Sequence, residues 1–69
     1  MSAEGREDAL AERLDAIAEE LADLALDELR VALERGAATR PPAEKRLTQA
    51  RRAVEKASHL LRGRPSVAD

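Results

Sequence analysis

The stretch AEKRLTQARRAVEKASHLL, residues 43–61, puts apolar side chains at Ala43, Leu47, Ala50, Val54, Ala57 and Leu61, at spacings of four, three, four, three and four. That rhythm follows 3.6 residues per turn and lays one apolar stripe along one side of a helix. A strand would need alternation with period two, and none occurs. The helix formers Ala, Leu, Glu and Arg dominate while Val and Ile are few. The spacing predicts a helix over 41–62. Gly63 and Pro65 stop it, leaving 63–69 as a tail.

Working back from that stretch, Gly36 to Arg40 has the length of a connection between two helices. Thr39 or Arg40 is the expected N-cap, with Pro41 or Pro42 in the first turn, where a missing N–H costs nothing. Upstream of Gly36 no Pro or Gly interrupts the chain as far back as Arg6. Within that span Leu10, Leu14, Ile17, Leu21 and Leu24 follow spacings of four, three, four and three, a coiled-coil-like seam. The seam then drifts onto Ala25, Leu29, Ala32 and Leu33, as a straight helix does against a strict seven-residue repeat. A first helix is predicted over 6–35, after a frayed start at 1–5, with Gly36 as its left-handed cap.

Two amphipathic helices joined by five residues must fold back on each other to shelter their stripes. The fold class is therefore all-α, an antiparallel two-helix hairpin. Laid in opposite directions, the stripes set Leu33 beside Ala43, Leu29 beside Leu47, and Ala25 or Leu26 beside Ala50. Leu21 or Ala22 then falls beside Val54, Ala18 beside Ala57, and Leu14 beside Leu61, while Leu10 overhangs the open end. Residues 1–36 hold eleven acids and four bases, and residues 37–69 hold eight bases and three acids. Opposite charge beside one seam favours this pairing and its register more than it adds stability, since an exposed pair contributes about 0–1 kcal/mol.

Composition excludes much else. Sixty-nine residues make one small domain with a marginal core. There is no Cys, so disulfides and thiolate metal sites are out, and a single His excludes a histidine-rich centre. There is no Phe, Tyr or Trp, so Leu, Ile, Val and Ala must build the core. A formal charge of −2 does not mark a nucleic-acid or membrane binder. No apolar run nears the roughly 20 residues of a membrane span, and the polar, acidic start is no signal peptide. A soluble cytoplasmic protein without cofactor or metal is expected. Oligomerisation, or docking onto a larger protein partner, remains as a way to stabilise so small a fold. Leu24 and Val31 on one flank, Leu26 and Leu33 on the other, and Leu60 beside Leu61 exceed what one helix can cover. A homodimeric four-helix bundle would supply the missing layer. These five residues are the expected partner contacts.

Three polar constellations bear on chemistry. Glu19, Glu20, Asp23, Asp27 and Glu28 form the densest acidic cluster, and Glu19-Glu20-Leu21-Ala22-Asp23 resembles the E-E-x-x-D metal-binding helix of MazG-like nucleotide pyrophosphohydrolases. That resemblance implies Mg²⁺ held by carboxylates from two helices. The second helix offers only Glu44 and Glu55, without a matching pair, so a solvated acidic face is the better reading. Glu44, Thr48, Arg51, Glu55 and His59 share one helical face. They resemble E-x₃-S-x₂-R-x₃-Q-x₃-D, the motif by which actinobacterial anti-sigma factors bind cyclic di-GMP on a two-helix hairpin. Glu44 and Arg51 match, Thr48 nearly matches, and Glu55 and His59 depart where the base would be read. Arg40, Lys45, Arg46, Arg51, Arg52, Lys56, His59, Arg62 and Arg64 make the second half basic. Arg51, Arg52 and Lys56 are its candidate phosphate contacts, but no aromatic residues interleave to stack bases. His59, Thr48 and Ser58 offer no nucleophile–base–orienter set, so no catalytic residue is expected. The sequence thus points to a non-catalytic protein–protein interaction module, a regulator or an assembly subunit. Nucleic-acid or nucleotide binding through the second helix is the alternative.

Overall fold

The structure is a computed structural model that describes residues 3–63. Two helices account for nearly all of them: α1, Ala3–Glu34, and α2, Pro42–Leu61, packed against each other as an antiparallel hairpin. The helix α1 starts at Ala3, upstream of the expected Arg6, and runs through Gly5. Met1, Ser2 and 64–69 lie outside the described residues, and with them part of the expected frayed start, the Pro65 stop and most of the tail.

The connection is built on Gly36. Its φ of 78° puts it in the left-handed region that glycine enters without a steric cost. Two bonds then close the end of α1. Ala37 N–H donates to Ala32 C=O at 2.9 Å, and Gly36 N–H donates to Leu33 C=O at 3.0 Å. This pair of reverse bonds satisfies carbonyls that a helix end leaves open. Gly63, with φ 69°, enters the same region after α2, its N–H donating to Leu60 C=O at 3.1 Å.

The start of α2 differs from expectation. Its N-cap is Pro41, not Thr39 or Arg40, and no side chain caps it. The reason lies in the next residue. Pro42 crowds the backbone before it out of the helical region, so Pro41 stays extended with ψ 147° and Pro42 becomes the first helical residue. The helix therefore starts one residue later than the sequence suggests.

The larger correction concerns how α2 is turned. Among the described residues the buried apolar ones are Ala11, Ala18 and Ala25, one row of α1 at seven-residue spacing. Opposite them the most buried residues of α2 are Glu44 and Ser58, not the Ala50 and Ala57 of the expected stripe, and Ala50 is exposed. Ser58 lies across from Ala11 and Asp15. Ser58, not Ala57, thus takes the central place against the α1 row near the open end. Alanine explains the shift: a row without long side chains lets the small Ser58 close directly on the α1 backbone. Leu14, Leu21, Leu47, Val54 and Leu61 shoulder the seam half-buried.

The product is a thin slab, 51 × 26 × 12 Å. The shortest dimension is that of one helix layer. Its radius of gyration is 15.2 Å, against about 11 Å for a compact domain of this length. It exposes 5484 Å², whereas a compact monomer of its mass exposes roughly 4,200 Å².

Candidate interaction face

The seam divides the slab into two broad flanks of opposite character. On one flank α1 presents Leu10, Ile17, Leu24 and Val31, again seven residues apart, each between 40% and 52% exposed. Helical geometry places this row just outside Leu14 and Leu21. On α2 the same flank carries half-buried Leu47, Val54 and Leu61, and then Ala43, Ala50 and Ala57. Both helices thus turn their apolar sides to the same face of the slab. Contiguous apolar surface of this kind marks interaction sites on soluble proteins.

The opposite flank is polar. Near the open end Ser58, 1% exposed, links the helices. Its hydroxyl lies 2.6 Å from Asp15 Oδ1 and 3.3 Å from the Ala11 carbonyl, and it accepts from Arg62 Nη1. Arg62 Nη2 also pairs with Asp15 Oδ2 at 2.8 Å. These bonds, the Arg62 guanidinium first and the Ser58 hydroxyl second, hold the Asp15 carboxyl below its usual range. At the loop end Arg40 grips Glu44 with two bonds of 2.6 and 2.7 Å, and the Thr48 hydroxyl adds one of 3.0 Å. Arg40 above all keeps Glu44 ionised against the opposing pull of burial. Glu44 also sits in the first turn of α2, where the helix dipole favours an anion.

Between these two clusters lies Arg51. Its Nε is buried and without a hydrogen bond. Glu55 Oε1 is 3.8 Å away, near enough for attraction and too far for a hydrogen bond. Two open hollows adjoin it. One, about 340 Å³, is lined by Asp15, Ala18, Glu19, Ala22, Arg51 and Glu55. The other, about 170 Å³, lies among Ala22, Ala25, Leu26, Leu29, Glu44, Thr48 and Arg51. The carboxylates around Arg51 oppose an anionic guest. Of the resemblance to the anti-sigma motif, Glu44, Thr48, Arg51 and Glu55 line this flank of the seam, while His59 is exposed.

The candidate residues fall into separate places. Leu24 and Val31 belong to the apolar flank. Leu26 and Leu33, 55% and 65% exposed, stand on the polar flank, and Leu60, 67% exposed, points away from the seam. Arg52 and Lys56 are exposed on the outer side of α2, whereas Arg51 turns toward α1, so the three do not share one surface. Among the described residues no group of acids is placed to hold a metal ion. No described helix is long and apolar enough to cross a membrane. Leu10 and Ile17 were not among the expected contacts, although their seven-residue spacing from Leu24 and Val31 was the available signal. Comparison with family models, curated proteins and solved structures finds no match to this chain.

Proposed function

We propose that this chain is a small non-catalytic interaction module that pairs into a four-helix bundle and acts as a regulator or assembly subunit. One observation carries the reading: a slab one helix thick whose whole apolar side, from Leu10 to Val31 on α1 and from Ala43 to Leu61 on α2, faces outward. Stable domains shelter such a face against a second layer. Alanines alone at the fully buried apolar positions give little hydrophobic stabilisation, because burial energy scales with apolar area. A second layer converts Leu10, Ile17, Leu24 and Val31 from exposed to core positions.

Sedimentation equilibrium tests this. A dimer at micromolar concentration is expected, and Leu24→Glu should abolish it. A stably folded chain that stays monomeric at every concentration would contradict the proposal. Phosphate-ligand binding through α2 is less supported, because Asp15, Glu19, Glu44 and Glu55 surround the cation nearest the seam.

A further inference from the structure

Resting on that self-association, we infer that the second copy docks with its loop at the same end, the two-fold axis running along the rods. Two two-fold arrangements can stack one slab face to face on another. In the first, the axis runs along the helices, both loops lie at one end, and each α1 lies over the α2 of the other copy. In the second, the axis runs across the helices, the loops lie at opposite ends, and α1 lies over α1.

The apolar face discriminates between them. The outer row of α1 is large, Leu10, Ile17, Leu24 and Val31, while that of α2 is small, Ala43, Ala50 and Ala57, with the same seven-residue repeat. An axis along the rods moves nothing lengthwise. Each α1 residue then meets, in the other copy, the α2 residues at its own height in its own chain. Those heights are fixed by Ser58 beside Ala11 and Asp15, and by Leu26 and Leu29 beside Glu44 and Thr48. Ile17 therefore falls near Ala57 of the second copy, Leu24 near Ala50 and Val31 near Ala43. Three of the four large residues thus find a small one, the condition for interdigitated packing, and Leu10 overhangs.

The opposite arrangement sets large on large along α1 and small on small along α2. Two rigid layers cannot stand apart for the first pair and close for the second. Charge points the same way. The helix α1 carries eleven acids and three bases, and α2 carries five Lys or Arg against two acids. Loops together place acid over base in both pairs, with Glu28 and Arg46 at matching heights beside the rows. Loops apart place acid over acid. Exposed ion pairs weigh little against two mismatched rows.

The chain has no cysteine, so single labels are clean to introduce. Spin labels at Ala38→Cys in the loop and, separately, at Ala9→Cys near the open end give two distances by pulsed electron resonance. Both are expected at about two helix diameters, 20–25 Å. A dimer with both distances near the 51 Å length of the slab overturns the orientation and leaves self-association standing. A strict monomer overturns both.

Discussion

Ser58 looks, in sequence, like a surface serine on a basic helix, yet at 1% exposed it is the most buried residue of α2. Its hydroxyl satisfies Asp15 and Arg62 together, which makes it a fastener between the helices. The pH consequence follows in sign. Asp15 and Glu44 have folded pKa values lowered by their cationic partners. Their contribution is complete above the ordinary carboxylate range, near 4, and disappears as pH falls through the lowered folded values. Helicity followed by circular dichroism should therefore hold steady from neutral pH to about 5 and weaken on further acidification. Ser58→Ala should destabilise the fold by ~1 kcal/mol at neutral pH and reduce the acid sensitivity. An acid limb unchanged in that variant would remove Ser58 from the account.

At the scale of the element, the helix ends were more legible than the helix faces. Gly36 announced a left-handed cap and Gly63 a stop, and both adopt positive φ. Replacing Gly36 with Ala should cost about 1 kcal/mol in a urea titration. Nothing lies within 4 Å of the added methyl, so the cost is purely one of backbone conformation. An unchanged midpoint would mean the loop simply relaxes. The rotation of α2 was hidden because a hydrophobic pattern counts Ala and Leu alike. Close approach depends on their difference in size, which here gave the centre of the seam to Ala11, Ala18 and Ala25 and to Ser58 opposite. The seven-residue alanine row was the clue. Its meaning appears only when α2 is set against it, since Glu44 and Ser58 belong by chemistry to solvent. Pro41 shows the same limit on a smaller scale: either proline fits a first turn, and the steric effect of the second on the first decides.

For the molecule as a whole, the hairpin was legible from periodicity and charge, while the sidedness of the slab was not. Two stripes that point at each other make a finished pair. Two stripes that lean to one side, as Leu14, Leu21, Leu47 and Val54 do here, leave an apolar face uncovered. If pairing supplies the missing layer, thermal stability must depend on protein concentration. The melting temperature of the unaltered chain should rise with each tenfold increase, while Leu24→Glu should melt low and without that dependence. A melting curve independent of concentration in both would leave the apolar flank without a role in folding.

The alanine core carries a consequence for abundance. A lone hairpin whose buried apolar residues are all alanines, with its leucines at best half-covered, has little hydrophobic burial to lose by opening. If copies pair as proposed, dilution favours opening, and a protease should cut the chain faster at low than at high concentration.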